Sequence, residues 1–304
     1  MPLLRALVDV ILPVVIVAGI GALLGRSFRL DRSTITKIAL NALTPALALQ
    51  TILTTEVSGR VGLLLALAFV LLSLLAAGLG WLTAYGTEAR TRRSAAVAVA
   101  IGNNGNMGLP VSLFALGQAG LDQSVLIFVL SVVLTFVLAP LTYGASEGLR
   151  GAMKGMLRLP VLWAMAVGLL IRASGLTLPT GVTRGIELLA AATLPMILLT
   201  LGIQLGTTRR VRLTRPVVTA SLLRVAVLPA IALPLGYAVG LRDTPLQALV
   251  LSAAMPTAVN AFILANEYDG DVDFVAHTVT VTTLLSFVTA GVVTALLPWI
   301  AGLG

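Results

Sequence analysis

The 304-residue chain has no cysteine and a single histidine, His277. Without thiols there is no disulfide, no iron–sulfur cluster and no thiolate metal site. One imidazole makes neither a metal centre nor a catalytic triad, so no cofactor is expected. Charge is also scarce: Asp, Glu, Lys and Arg make up 11% of residues, against about 25% in an ordinary soluble chain. Aromatics are 5% and are not interleaved with the basic residues, so the net charge of +8 does not mark a nucleic-acid surface. The apolar runs hold no His-Glu-x-x-His, no paired aspartates and no Ser/His pair, which argues against an enzyme.

What is abundant is apolar sequence. Hydrophobic residues make up 58% of the chain and mean hydropathy is +1.03. Runs of about 20 apolar residues bounded by charge, each long enough to cross a bilayer, recur from end to end. Ten spans are expected, at roughly 7–25, 37–54, 61–85, 94–116, 123–144, 156–174, 182–205, 216–240, 246–266 and 274–301. The sixth is the shortest and needs Arg158 and Arg172 to reach outward at its ends. Arg26, Arg29, Arg32 and Lys37 directly follow the first span, as at a stop-transfer boundary rather than a signal-peptide cleavage site. The fold class is therefore an all-α integral membrane protein in contact with membrane lipid. Fourteen Lys/Arg flank the connections after the odd-numbered spans and five lie on the other side. That bias puts both termini outside.

Two of the spans are interrupted. Ile101-Gly-Asn-Asn-Gly-Asn-Met-Gly-Leu-Pro110 lies in the fourth, and Met255-Pro-Thr-Ala-Val-Asn260 in the ninth. Unpaired backbone in hydrocarbon costs several kcal/mol, so a broken helix persists only where protein or a water-filled cavity satisfies it. Spans two and seven carry mid-helix prolines, Pro45 and Pro195. Pro45 precedes Pro110 by 65 residues and Pro195 precedes Pro256 by 61. The same pair of breaks thus recurs in each half, 1–150 and 151–304. Five spans per half would bring the second half in with opposite polarity, as an inverted repeat whose interface lies near the midplane.

Each break exposes the N-terminus of a half-helix, where free N–H groups and about half a positive charge face the gap. Two such ends can hold an anion without a buried Lys or Arg. Pro110 and Pro256 suit the first turn of the half-helices. Asn103, Asn104, Asn106, Thr257 and Asn260 add polar groups; Asn104 could face the protein interior while its neighbours face the cavity, but the sequence does not separate them. No Asp or Glu lies in the middle of a span, since Asp9 and Glu187 fall near outer ends. A midplane carboxylate is the usual carrier of protons or sodium. Its absence weakens the case for carboxylate-based coupling and leaves passive, potential-driven movement of an anion open, although carbonyls, hydroxyls and amides can still bind sodium. Arg224 sits about nine residues into span eight; reaching to the surface, a gating ion pair and substrate contact all stay open. Gln50 and Thr200 are polar groups in spans two and seven, suited to helix–helix contact or to gating and coupling.

Gly102-Asn-Asn-Gly-Asn-Met-Gly-Leu-Pro-Val111, followed by Leu113-Phe-Ala-Leu-Gly117, resembles the fourth-helix signature of the auxin efflux carrier family. Ala254-Met-Pro-Thr-Ala-Val-Asn-Ala-Phe-Ile-Leu-Ala265, with Val279-Thr-Val-Thr-Thr283, is similar to the family's ninth- and tenth-helix signature. The short link between spans five and six resembles the compact prokaryotic branch, which implies a cytoplasmic membrane. The resemblance implies a ten-helix crossover fold shared with bile-acid/sodium symporters. Spans one, two, six and seven would form a scaffold, and spans three to five and eight to ten a mobile transport domain. It also implies elevator-type transport of small organic anions, such as auxin-like monocarboxylates or malate- and malonate-like dicarboxylates, and a homodimer. Asn103, Asn104, Asn106, Pro110, Pro256, Thr257 and Asn260 would surround the substrate. A sodium- or proton-coupled organic anion symporter or antiporter on the same fold, of the bile-acid/sodium symporter type, is the alternative.

Overall fold

Proline placement sets the local texture of the helices in a computed structural model that describes residues 2–55, 57–144, 148–206 and 211–302. Four π-turns, Leu7–Ile11, Ala39–Leu43, Asn104–Gly108 and Leu223–Val227, each end two residues before a proline: Pro13, Pro45, Pro110 and Pro229. Proline has no N–H and its ring collides with the carbonyl four residues back. The preceding turn therefore widens, so that the N–H of Leu12, for example, donates to Leu7 O. Proline alone does not dictate this, because Pro140, Pro195, Pro234 and Pro298 lie within α-helix.

The helices run as follows. α1 comprises Pro2–Ala6, the first π-turn and Leu12–Ser27, and α2 comprises Arg32–Ile38, the second π-turn and Thr44–Thr54. α3 is Gly59–Thr83 and α4 is Ala89–Ala100. The helical run from Asn104 to Tyr143 is folded in two at Gly117, whose φ of 68° and ψ of −161° suit glycine almost alone. Ser124 Oγ donates to Ser112 Oγ at 2.7 Å, although a straight helix would separate residues twelve apart by about 18 Å. We therefore label 104–116 as α5 and 118–143 as α6. α7 (Gly148–Met156), α8 (Pro160–Ser174) and α9 (Thr180–Gly206) follow. α10 comprises Arg215–Leu222, the fourth π-turn and Leu228–Val239. The chain ends with α11 (Asp243–Ala253), α12 (Val259–Glu267) and α13 (Val272–Ala301).

Six runs among the described residues are long and apolar enough to cross a membrane: Leu3–Ser27, Gly59–Thr83, Asn104–Tyr143, Thr180–Gly206, Arg215–Val239 and Val272–Ala301. Their outer faces are apolar as well, with Leu23, Leu63, Leu188 and Val288 more than 60% exposed. A helix apolar all round belongs in lipid or in a core. The protein is a multi-pass, all-helical membrane protein.

Packing between helices relies on small residues. Gly21 and Gly25 of α1 face Gly202 and Gly206 of α9, and a Cβ at Gly21 or Gly202 would strike the backbone carbonyl of Leu199 or Ala18. This spacing of glycines lets two backbones approach closely where lipid supplies no hydrophobic drive for association. Thr193 of α9 donates to Leu43 O of α2 at 3.0 Å, beside Pro45 and Pro195. Arg172 of α8 donates to Ile52 O and Thr55 O at 3.0 and 2.6 Å. It caps α2 and is exposed at the end of α8. α1, α2, α8 and α9 thus pack on one another, while α3, α4, α10, α11 and α13 share a core around Leu65, Val99, Leu249 and Val275, which Val10 and Val14 of α1 and Leu198 and Leu201 of α9 also enter.

Candidate functional site

α4 ends at Ala100 and the chain is extended from Ile101; α11 ends at Ala253 and the chain turns at Ala254 and bends at Met255 before it extends. The two extended stretches pair antiparallel at Gly102 and Thr257. Asn103 N–H donates to Pro256 O at 2.7 Å, and Ala258 N–H donates to Ile101 O at 2.9 Å. This two-bond ladder is how unwound backbone stays satisfied inside a membrane protein. α5 then restarts at Asn104 and α12 at Val259.

Breaking a helix leaves its last carbonyls without intrahelical donors. Side chains from other elements replace them. Thr257 Oγ1 donates to Ala98 O at 2.8 Å. Arg224, from the π-turn of α10, donates through Nη1 to Val99 O at 2.9 Å, through Nε to Met255 O at 2.8 Å and through Nη2 to Ser252 O at 3.4 Å. Arg224 is only 4% exposed and therefore does not reach the surface, one of the readings its position in the sequence allowed. Thr282 Oγ1 of α13 accepts from Thr257 N–H at 3.1 Å and donates to Thr278 O at 2.7 Å.

The residues expected to surround a substrate divide into two sets. Asn103, Asn104, Pro110, Pro256 and Thr257 are buried. Asn103 Oδ1 caps α5 by accepting from Asn106 N–H at 3.2 Å. Asn104 Oδ1 accepts from Ser252 Oγ at 2.7 Å, so this side chain faces the interior. Asn106 is half-buried and Asn260 is exposed, one at the first turn of each half-helix. These two amides sit where orphan N–H groups and the positive dipole ends point. Gln50 and Thr200 are half-buried on α2 and α9, and Thr200 Oγ1 is committed to Met196 O at 2.8 Å.

Four polar residues of the site escaped the sequence reading. Ser252 orients Asn104, Ser286 donates to Met107 Sδ at 3.4 Å, and Ser112 with Ser124 ties the α5–α6 hairpin together. The available signal was a hydroxyl within an apolar run, close to a break. Asn104, Gly108, Ser124, Ile127, Leu251 and Ser252 line a narrow crevice behind the crossing. A larger cavity of about 270 Å³ lies elsewhere, between α7 and α8, under Met153, Trp163 and their apolar neighbours. It offers little but hydrocarbon and has no bearing on anion chemistry. No group of three or more His, Cys, Asp or Glu able to hold a metal occurs among the described residues.

Residues 145–294, which include the second break, match a family model described as membrane transport protein. An uncharacterized transporter of Methanothermobacter thermautotrophicus is 28% identical over 264 residues, covering 85% of this chain and 86% of that protein. A provisionally named malonate transporter of Rhizobium meliloti is 30% identical over 62% of each chain. Auxin efflux carrier component 1 of Arabidopsis thaliana is 31% identical over 104 residues, 34% of this chain and 17% of the plant protein.

Proposed function

Because the chain belongs to the auxin efflux carrier family of membrane transport proteins, we propose that it is a secondary transporter of small organic anions, with the carboxylate held at the crossing of the two broken helices. The observation that carries this reading is the antiparallel pairing of Gly102 with Thr257, flanked by the amides of Asn106 and Asn260 at half-helix N-termini. Amide donors and two positive dipole ends suit a carboxylate. The names of the relatives in Rhizobium meliloti and Arabidopsis thaliana support carboxylates as the substrate class.

In this reading the chain crosses the cytoplasmic membrane of a prokaryote ten times, in two inverted repeats of 1–150 and 151–304, with both termini outside. The hairpin at Gly117 and the half-helix pairs α4–α5 and α11–α12 support a count beyond the six long runs. The packing of α1 and α2 with α8 and α9 supports a scaffold, against which the helices that carry the crossing rest through the buried residues of α1 and α9. Elevator-type alternating access would slide the second group against the first. A homodimer built on the scaffold completes the reading.

The test is electrical recording on purified protein in liposomes, with mono- and dicarboxylates applied in turn. Saturable currents evoked by a carboxylate are expected, and counterflow of a radiolabelled carboxylate covers electroneutral exchange. Neither current nor counterflow across the series would overturn the assignment.

A further inference from the structure

Arg224 is the one basic residue that the sequence leaves well inside an apolar span, and its three hydrogen bonds all run to backbone carbonyls. No carboxylate pairs with it among the described residues. We propose that the Arg224 guanidinium is a tethered counter-ion at the crossing, standing where a free cation would otherwise be needed. This deepens the transporter reading above by specifying its coupling: the substrate anion moves without sodium bound at the crossing.

Charge and space both point to this role. The C-terminus of a helix carries about half a negative charge. α4 and α11 both end at the crossing, and their carbonyls, with that of Met255 just beyond, converge on a single guanidinium. Two half-charges match one full positive charge. Broken membrane helices commonly present such unwound carbonyls and C-terminal ends to sodium. Here the Nη1, Nη2 and Nε donors occupy those oxygens already. The chain also clears room for the group: a Cβ at Gly102 would collide with Arg224 Nη2 and lie 2.9 Å from its Cζ. A metal ion at the same oxygens would overlap the guanidinium. Arginine suits the task because it stays protonated and offers donors in a fixed plane.

Thermal unfolding of the purified full-length protein tests the proposal, in sodium chloride and in choline chloride, alongside carboxylate currents in the same two media. Wild-type protein should unfold at the same temperature in both and carry equal currents in both. Arg224→Met, which keeps the stem and loses the charge, should lower the midpoint and lose transport. Arg224→Lys, which keeps the charge with fewer bonds, should retain more stability than Arg224→Met. Arg224→Ala leaves a carbonyl-lined hole, and millimolar guanidinium or sodium should raise its midpoint while leaving that of Arg224→Met unchanged. A sodium-dependent midpoint or current in the wild type would overturn the proposal, as would Arg224→Met proving as stable as Arg224→Lys. If Arg224→Ala fails to fold, the comparison of Lys with Met decides alone. The unfolding arm needs no substrate, so an absence of currents with every anion would sink the transporter reading without touching the counter-ion result.

Discussion

Replacing Thr257 by valine removes one hydroxyl and leaves the shape of the crossing almost unchanged. Thr257 is fully buried, and its Oγ1 donates at 2.8 Å to Ala98 O, one of the carbonyls orphaned by the end of α4. Side-chain hydrogen bonds between membrane helices average about 0.6 kcal/mol and reach about 1.7. The larger figure applies here, because valine leaves a buried acceptor facing a methyl group, and an unmet buried acceptor costs about 1–3 kcal/mol. We expect Thr257→Val to cost about 1–2 kcal/mol on this basis. Thr257→Ser keeps the donor and loses one methyl, at about 1 kcal/mol or less. Thr257→Ala loses both and should approach the sum. Equilibrium unfolding of the purified variants reads the order, and uptake by the same preparations should fall with it as the register of Gly102 against Thr257 loosens. A valine variant as stable as wild type, with the alanine variant no worse than serine, would refute the hydrogen-bond account. The methyl group would then be the part that matters.

The remaining predictions concern the open side of the crossing and the supports around it. Asn106→Ala and Asn260→Ala should each reduce carboxylate uptake while the protein inserts and purifies as before; wild-type uptake by both, measured with radiolabelled substrate, removes them from the site. Gly117→Ala places a side chain at φ 68°, ψ −161° and should cost about 1–3 kcal/mol, read as a lower unfolding midpoint. Gly202→Val drives a side chain into the carbonyl of Ala18, so α1 and α9 must separate and the yield of folded, monodisperse protein should drop; an unchanged elution profile and midpoint would show that this contact has slack. Ser252→Ala frees Asn104 Oδ1 inside the protein and should cost about 1–3 kcal/mol in the same unfolding assay.

The two breaks were legible because they violate their surroundings. Gly, Pro and Asn inside an apolar run have no use in a continuous helix, and both positions are broken in the structure. The repeated proline spacing likewise located residues that sit next to real contacts, as Thr193 shows beside Pro45. The role of Arg224 was not legible, because its partners are carbonyls and a carbonyl has no residue type. The same limit hid the task of Arg172, which caps α2. Asn103, Asn104 and Asn106 look equivalent on paper. Fractions of a turn separate a cap, a buried acceptor and an accessible amide. Gly117 read as the start of a loop, whereas the structure needs only that one residue in an unusual backbone state to reverse the chain.

The crossing is polar in an uneven way, and the unevenness bears on its chemistry. Its negative ends are closed by the protein itself: Thr257 takes Ala98 O, Arg224 takes Val99, Ser252 and Met255, and Gly102 gives up a side chain to admit the guanidinium. Its positive ends are closed less completely, since Asn103 caps the first turn of α5 but the side chains of Asn106 and Asn260 stay accessible. A symmetric crossing would have no preference between cations and anions. Filling one pair of ends with a permanent cation leaves about one unit of positive dipole charge unopposed at the other pair. That residue of charge suits a single carboxylate best. A second carboxylate on the same substrate would have to find its partner outside the crossing, because Arg224 is already spent on carbonyls.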